Sequence, residues 1–406
     1  MSKSAEILRH LSRNVDTIIG EADLVERLES GRPLRIKYGV DCTAPDMHIG
    51  HAVNLWMMRY LQDLGHRVVF LLGDLTTQIG DPTGKSSTRP VLDAEAIEAN
   101  AAAFLDQVSM VLSTDPDVFE VRRNSEWFGP MPVAELLGLF SMVTHAQLMA
   151  RDMFRDRIEQ DREIALHELT YPVLQGYDSV ALQSDLTIVG SDQLFNEMMG
   201  RHYQERMGVP PQVLITTTIT PGLDGGPKQS KSLSNYVALT DTPENKFGKI
   251  MSLSDDLIGT FTRAYTDLDM DDVQALSVAA AEGGKHARDA KLRLAGAIVA
   301  RYHGEEEALR QSDGFRRIFS DGGQPDDLPG LSLDDRRLTV HDLLARAEPK
   351  LTNGERRRLV AQGGVRLNGV KLARSDEWVE PRAGTILRIG KRRWHRIELT
   401  VTDQSR

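Results

Sequence analysis

The sequence contains almost no cysteine and no long apolar stretch. One cysteine in 406 residues excludes an intramolecular disulfide and indicates a reducing compartment. No run approaches the ~18 apolar residues of a membrane-spanning helix, and the first residues lack the apolar core of a signal peptide. We therefore expect a soluble cytoplasmic protein, and its length predicts roughly two to four domains.

Basic residues are fewer than acidic ones, 49 against 59, and they are unevenly distributed along the chain. The net charge of −10 argues against a protein coated for nucleic-acid binding. Residues 338–406 nevertheless contain 15 Lys and Arg against 8 Asp and Glu, a net charge of +7, so residues 1–337 carry −17 by subtraction. A small basic module on an acidic body most often binds RNA or DNA, and an ordinary solvated surface is the alternative.

Buried strands alternate with helices over the first 217 residues. Short or continuous apolar runs predict strands at 35–40, 67–72, 186–189 and 213–217, and helical patterns lie between them. This order predicts an α/β fold with a doubly wound parallel sheet and with ligands at the carboxyl ends of its strands.

The rest of the chain changes character twice. Helical patterns replace strands after about residue 242, and a Gly- and Pro-containing stretch then precedes a block of helices and short strands. We predict a Rossmann-like domain over residues 1–240, a helical domain over 241–321, a linker over 322–337 and a small α+β domain over 338–406.

His48-Ile49-Gly50-His51 stands between a predicted turn and an amphipathic helix. Two imidazoles at a helix N-terminus, together with unpaired backbone N–H groups and the helix dipole, suit an anion such as phosphate. Gly50 would let that ligand approach the backbone. Local capping or packing of both rings is the alternative, and a zinc site is weaker because only Cys42 and Asp46 are nearby.

Two further groups follow predicted strands. Gly80-Asp81-Pro82-Thr83-Gly84-Lys85 comes after the strand at 67–72, and Gly190-Ser191-Asp192-Gln193 comes directly after the strand at 186–189. Asp81 suits a substrate ammonium, Lys85 and Arg89 suit a polyphosphate, and the glycine with the acid suits a ribose. A P-loop NTPase is a remote alternative, since that motif needs four residues between its glycines and this chain has three.

Two more patterns carry polar groups suited to a ligand. Tyr171, Gln175 and Asp178 share one helix face by their i, i+4, i+7 spacing, and exposure to solvent is the alternative. Lys228 and Lys231 lie in a Gly- and Pro-rich loop that could close over a triphosphate.

Together these motifs resemble those of class I aminoacyl-tRNA synthetases, and within that class of the bacterial tyrosyl-tRNA synthetases. His48-Ile49-Gly50-His51 matches the first class signature, and Lys228-Gln229-Ser230-Lys231-Ser232 matches the second except at Gln229, where Met is commonest. The subfamily resemblance comes from the stretches at 80–85, 171–178 and 190–193. It implies a helical dimerisation segment inserted at roughly 115–165, an anticodon-side helical domain and an RNA-binding tail.

The resemblance also implies roles for individual residues. Tyr171, Gln175 and Asp81 would hold the amino group of tyrosine, Asp178 would accept from its phenol, and Gln193 would orient its carboxyl group, with Lys37 and Tyr38 also in this pocket. ATP, which would carry Mg²⁺, would be bound by Asp41, His48, Gly50, His51, Gly190, Asp192, Lys228, Lys231 and Ser232. Catalysis would be carried by His48, His51, Lys85, Arg89, Lys228 and Lys231, with no metal site formed by the protein.

The implied partners are L-tyrosine, its tRNA and a second copy of the chain, with no membrane. Arg356, Arg357 and Arg358 are the predicted RNA-binding residues, and the apolar stretch at 130–143 is the predicted dimer surface, with core packing as the alternative.

The chain departs from the family pattern at Lys37, Cys42 and Gln229. Lys37 leaves open an enzyme tuned to a tyrosine analogue, and the basic tail leaves open a non-catalytic RNA-binding paralogue. Tryptophan is a weaker candidate, because an indole has only its ring N–H to offer Asp178. Gln229 removes a Met that would help to seat the loop.

Overall fold

The computed structural model describes residues 2–43, 47–81, 92–226, 228–229, 233–319, 328–390 and 393–399, except for the side chains of residues 318 and 319. The chain divides into two compact units, Met1–Ser312 and Asp313–Arg406. The first unit contains both the predicted catalytic domain and most of the predicted helical domain. Among the described residues, no helix is long and apolar enough to cross a bilayer.

The sheet of the first unit confirms the predicted α/β fold. Its strands are β1 (Val15–Ile19), β2 (Arg35–Val40), β3 (Arg67–Leu72), β4 (Phe119–Arg123), β5 (Leu186–Gly190) and β6 (Val213–Thr217). Their order is β1-β6-β5-β2-β3-β4, with β2 to β6 parallel and β1 antiparallel to β6. Since β2 neighbours both β3 and β5, the chain reverses its winding there, which opens a crevice at the carboxyl ends of the strands.

The two edge strands were not predicted. β1 and β4 lack a continuous apolar run and contain half-buried and exposed positions, so neither carries the signal of a central strand. β4 also lies inside the segment predicted as a helical insertion at 115–165. That prediction is corrected: the segment begins with a strand of the main sheet, and its helices follow.

Helices cover the sheet and continue past it. Those of the α/β part are α1 (Lys3–Leu11), α2 (Glu21–Glu29), α3 (Ile49–Asp63), α4 (Ala94–Val108), α5 (Ser125–Phe128), α6 (Val133–Ser141), α7 (His145–Met149), α8 (Asp152–Glu159), α9 (Leu166–Ala181) and α10 (Leu194–Arg206). The predicted helical region is confirmed as α11 (Pro243–Met251), α12 (Ile258–Tyr265), α13 (Met270–Glu282), α14 (Gly284–His303) and α15 (Glu305–Phe319).

The second unit contains a separate apolar core. Its strands are β7 (Gly330–Leu333), β8 (Leu338–Thr339), β9 (Val365–Leu367), β10 (Val370–Lys371), β11 (Trp378–Val379), β12 (Ile386–Ile389) and β13 (Arg393–Leu399), and its own helices are α16 (Val340–Ala347) and α17 (Asn353–Ala361). β7 pairs in parallel with β13. The predicted linker over 322–337 is therefore too long, because β7 already belongs to the sheet of the small domain.

Candidate active site

One cavity of about 460 Å³ lies at the carboxyl ends of β2, β3, β5 and β6. It brings together the predicted site residues of the first unit that the structure describes, which are Lys37, Tyr38, Asp41, His48, Gly50, His51, Asp81, Tyr171, Gln175, Asp178, Gly190, Asp192, Gln193 and Lys228. The predictions for Lys85, Arg89, Lys231 and Ser232 fall outside the described residues. The solvent-facing alternative for the α9 pattern is wrong, since Tyr171 and Asp178 are buried in the cavity wall.

The two histidines cap the helix that follows them. His48 Nδ1 accepts from the Gly50 N–H, and His51 Nδ1 accepts from the His48 N–H, each at 3.2 Å. The local-capping alternative therefore holds for the Nδ1 atoms. A neutral imidazole whose Nδ1 accepts carries its proton on Nε2, which is then an N–H donor of the kind that phosphate oxygens accept.

The backbone at the start of α3 differs from the expectation. The N–H groups expected to hold an anion are already bonded: Ile49 donates to the Val237 carbonyl, Gly50 to His48 Nδ1 and His51 to the His48 carbonyl. Gly50 makes room for the capping ring, because a Cβ there would lie 2.8 Å from His48 Nδ1. The donors for an anion are thus side chains.

Residues 47–49, at the start of α3, are joined to residues 237–239 by backbone hydrogen bonds. Ile49 N–H donates to the Val237 carbonyl and Leu239 N–H donates to the Met47 carbonyl, each at 3.0 Å. This pair of backbone hydrogen bonds joins the start of α3 to residues 237–239, and His48 and Lys228 line the same cavity.

Gln229 is seated by polar contacts. Its side chain is buried, and its Nε2 donates to the Tyr265 hydroxyl at 2.7 Å. Its Oε1 accepts from the Val237 N–H at 3.4 Å. At the position where a Met was expected to help seat the loop, the amide supplies hydrogen bonds to α12 and to the segment after the loop.

Cys42 is the second departure from the family pattern. Burial raises the pKa of its thiol to about 12, so the side chain stays protonated. Its backbone N–H donates to Thr77 Oγ1 at 2.8 Å, and its carbonyl accepts from Asn100 Nδ2 at 2.8 Å. Cys42 is a packed residue of the turn.

Asp41 orients the hydroxyl of Tyr171. Tyr171 Oη donates to Asp41 Oδ2 at 3.0 Å, and Thr76 Oγ1 donates to Asp41 Oδ1 at 2.9 Å. Burial, reinforced by the Asp41 carboxylate, raises the pKa of Tyr171 well above its ordinary value. Because its proton is committed to Asp41, the hydroxyl keeps lone pairs with which it can accept from an ammonium group.

Asp81 is contacted by two residues from other elements. Gln193 Nε2 donates to Asp81 Oδ2 at 2.9 Å, and Arg151 Nη2 lies 3.7 Å from Asp81 Oδ1. Arg151 is buried between the rings of Phe154 and Phe195. Sequence reasoning missed Arg151, because an arginine between two short helices carries no local signal of its distant partner.

The inner end of the cavity comprises Lys37, Gln175, Asp178 and Glu197. Asp178 Oδ1 accepts from Trp127 Nε1 at 2.9 Å. Burial raises the pKa of Asp178 to about 8, while the Lys37 ammonium and hydrogen bonds from Trp127 and Asn124 oppose that rise. The buried carboxyl group suits a polar ligand group such as a phenol hydroxyl.

Lys37 forms a buried ion pair that the sequence did not reveal. Its Nζ lies 2.8 Å from Glu197 Oε2, and the exposed fractions of the two side chains are 2% and 3%. Lys37 Nζ also donates to Ser179 Oγ at 2.8 Å. One signal could have found Glu197: it follows Gln193 by four residues, so both lie on the same face of the helical stretch.

The outer end of the cavity comprises His48, His51, Asp192 and Lys228. Asp192 and Lys228 are exposed, in contrast to the inner end. Desolvation raises the pKa of Asp192, and the Lys228 ammonium partly opposes this rise. A Cβ at Gly190 would lie 2.9 Å from Asp192 Oδ1, so glycine lets that carboxylate turn back over the end of β5.

The predicted RNA-binding arginines of α17 differ in exposure. Arg357 and Arg358 are exposed. Arg356 is only 8% exposed, and its guanidinium donates to Asn353 Oδ1 and to the carbonyl groups of Glu348 and Pro349. The prediction for Arg356 is corrected: this residue stabilises the second unit, and the two exposed neighbours stay candidates for RNA contact.

The chain is similar to known proteins over nearly its whole length. Residues 29–320 match the family described as tRNA synthetases class I (W and Y). The chain is 43% identical over 397 residues to the tyrosine–tRNA ligase of Moorella thermoacetica, which covers 97% of this chain and 96% of that relative. It is 43% identical over 394 residues to the tyrosine–tRNA ligase of Cupriavidus pinatubonensis, with 95% and 94% covered.

A solved structure shares the fold. A C-terminally truncated mitochondrial tyrosyl-tRNA synthetase from Aspergillus nidulans superposes with a TM-score of 0.63 at 22% identity, covering 79% of this chain and 95% of that chain. The chain belongs to the class I tRNA synthetases (W and Y), the family that includes these tyrosine–tRNA ligases.

Proposed function

We propose that this chain joins L-tyrosine to its tRNA in two steps. Tyrosine and ATP first give tyrosyl-adenylate and pyrophosphate, and the terminal adenosine of the tRNA then takes the tyrosyl group and releases AMP. The observation that carries this proposal is one cavity with a buried carboxyl group at its inner end and imidazole and ammonium donors at its outer end.

The inner half of the cavity suits the amino acid. Asp178 accepts from the phenol hydroxyl, and Tyr171, Gln175 and Asp81 supply acceptors for the ammonium group. Phenylalanine would leave the buried Asp178 carboxyl group without its partner, which disfavours that substrate strongly. Gln193 bonds Asp81 through one amide hydrogen and has a second one for the substrate carboxylate.

The outer half suits the nucleotide. The tyrosine carboxylate attacks the α-phosphorus in line, the bond to the bridging oxygen breaks, and pyrophosphate leaves with the electron pair. His48 and His51 donate from Nε2 to phosphate oxygens, and Lys228 neutralises charge that develops on the leaving group. Gly190 and Asp192 hold the ribose, and Mg²⁺ enters with ATP as part of the substrate.

ATP–pyrophosphate exchange tests the first step directly. The full-length protein is assayed with tyrosine, phenylalanine, tryptophan and ring-substituted tyrosines in parallel. We expect exchange with tyrosine far above phenylalanine and tryptophan. Faster exchange with a ring-substituted tyrosine would favour the analogue-specific alternative, and no exchange with any of them, despite tRNA binding, would favour a non-catalytic paralogue.

The geometry weakens the remaining alternatives. Lys37, which raised the analogue hypothesis, already has its ammonium group bonded to Glu197 and Ser179. The P-loop alternative falls largely on residues outside the described part, and the family match gives it no support.

We also propose that two copies associate through the surface around α6. Val133 and Leu137 of this helix are 72% and 58% exposed, and an apolar groove of about 550 Å³ lies beside them. Exposed apolar residues beside such a groove suit a second copy of the chain. A Leu137→Glu variant that stays dimeric in light scattering would contradict this placement.

The cytoplasmic location inferred from the single cysteine stays a prediction.

A further inference from the structure

The side-chain amide of Gln175 is fixed from behind by Glu197. Gln175 Nε2 donates to Glu197 Oε1 at 2.9 Å. An ionised carboxylate can only accept hydrogen bonds, so the amide must turn its nitrogen toward Glu197 and its oxygen away. Among the described residues, Gln175 Oε1 is buried and has no hydrogen-bond donor.

The other oxygen of Glu197 is occupied by two donors. Lys37 Nζ lies 2.8 Å from Glu197 Oε2, and Gln212 Nε2 donates to the same oxygen at 2.9 Å. Neither Lys37 nor the amide nitrogen of Gln212 can accept a hydrogen bond. Both oxygens of Glu197 are therefore acceptors: Oε2 accepts from Lys37 and Gln212, and Oε1 accepts from Gln175.

An unpartnered buried acceptor in a cavity wall points to a ligand donor. A buried carbonyl oxygen without a partner is unfavourable, so it persists where a ligand satisfies it. The ammonium group of an amino acid has three N–H donors, and the Tyr171 hydroxyl in the same cavity is likewise set as an acceptor.

We propose that Glu197, held by Lys37, is a positioning residue that fixes Gln175 as an acceptor for the ammonium group of the substrate. This inference rests on the proposed function, since it assigns the partner of Gln175 within that amino-acid site. Lys37 thereby acts on both ends of the amino acid: it holds Glu197 behind Gln175, and its charge acts on Asp178 at the phenol end.

The variant Glu197→Gln tests whether residue 197 determines which atom of the Gln175 amide faces the cavity. Lys37 and Gln212 still require an acceptor, so the new amide oxygen faces them and the new amide nitrogen faces Gln175. Gln175 must then present its oxygen to residue 197 and its N–H groups to the cavity, where they oppose the substrate ammonium. We expect the KM for tyrosine to rise about tenfold to a hundredfold, with the KM for ATP unchanged.

A substrate without the amino group separates positioning from general damage. Calorimetry gives the Kd values of tyrosine and of 3-(4-hydroxyphenyl)propionate, which lacks the ammonium group. We expect the parent protein to bind tyrosine more tightly than this analogue, and in Glu197→Gln we expect the ratio of the two Kd values to fall at least about tenfold.

Glu168→Gln is the matched control. Glu168 forms a buried ion pair with Arg157 at 2.9 Å and is not among the residues that line the cavity. It undergoes the same change of charge, so we expect lower stability and an unchanged ratio. The double variant Lys37→Met with Glu197→Met removes the pair without leaving a buried charge, and it should lower the ratio even if Glu197→Gln folds poorly.

The outcomes separate the two proposals. An unchanged ratio in Glu197→Gln and in the double variant, or an equal fall in Glu168→Gln, would overturn the role of Glu197 while tyrosine binding by the parent protein stands. A parent protein that binds no tyrosine would overturn the proposed function, and this inference with it.

Discussion

The inner and outer ends of the cavity are built in opposite ways. At the inner end Lys37, Asp178 and Glu197 are almost fully buried, and each bonds another protein group. At the outer end His51, Asp192 and Lys228 are exposed. Buried polar and charged groups must be held by fixed partners, so the side chains of the inner end are fixed by hydrogen bonds, whereas exposed groups can follow charge as it develops.

The largest effect is expected from Asp178→Asn at the inner end. The phenol hydroxyl loses one oxygen of a buried carboxyl group as its acceptor, so kcat/KM for tyrosine should fall by about 10²- to 10³-fold. Phenylalanine, which makes no such hydrogen bond, is the control substrate, and its kcat/KM should change much less. Equal losses for both amino acids in pyrophosphate exchange would show that Asp178 does not recognise the phenol hydroxyl.

Lys228→Met tests the outer end. Charge stabilisation on the leaving pyrophosphate is lost, so kcat for exchange should fall about 10²-fold. The Kd for tyrosine and the melting temperature should stay unchanged, because Lys228 is exposed and forms no part of the buried Lys37–Glu197 pair. The control is Lys285→Met, another exposed lysine, on α14. A parallel loss of tyrosine affinity would break the distinction between the two ends.

A third change lies outside the cavity. Replacing Arg357 and Arg358 together by Gln should weaken tRNA charging about tenfold and lower its salt dependence, since each arginine neutralises one phosphate. Adenylate formation should stay unchanged. The double variant Arg310→Gln with Arg316→Gln, at two exposed arginines on α15, controls for the same change in net charge. Equal loss in both assays would contradict a role confined to RNA.

The smallest expected effect is on stability. The pKa of Asp178 is about 8 in the folded protein, against an ordinary value of 3.8. Between these values the folded state keeps a proton that the unfolded chain releases, so the free energy of unfolding falls as pH rises from about 4 to about 8. Lys37, Glu197 and Tyr171 are the titratable groups that interact with this carboxyl.

Asp178→Asn removes this titration. The melting temperature of the parent protein, relative to that of Asp178→Asn, should therefore fall by a few degrees between pH 5 and pH 8. A difference that does not change with pH would contradict a raised pKa at this residue.

How well the sequence predicts a feature depends on whether its signal is local in the chain. The outer end follows compact motifs such as His48-Ile49-Gly50-His51, and the buried strands β3 and β5 carry continuous apolar runs, so both could be predicted. Glu197 and Arg151 could not, because their roles depend on partners distant in the chain. The exposed side of β1 and the burial of Arg356 likewise depend on tertiary packing.

The hydrogen bonds between residues 47–49 and 237–239 have a consequence for how the chain tolerates substitution. They join backbone atoms alone, so the link between the start of α3 and residues 237–239 does not depend on which side chains occupy these positions. Proline at position 49 or 239 is the exception, since it has no N–H to donate. The side chains at these positions can therefore change while the start of α3 stays joined to residues 237–239.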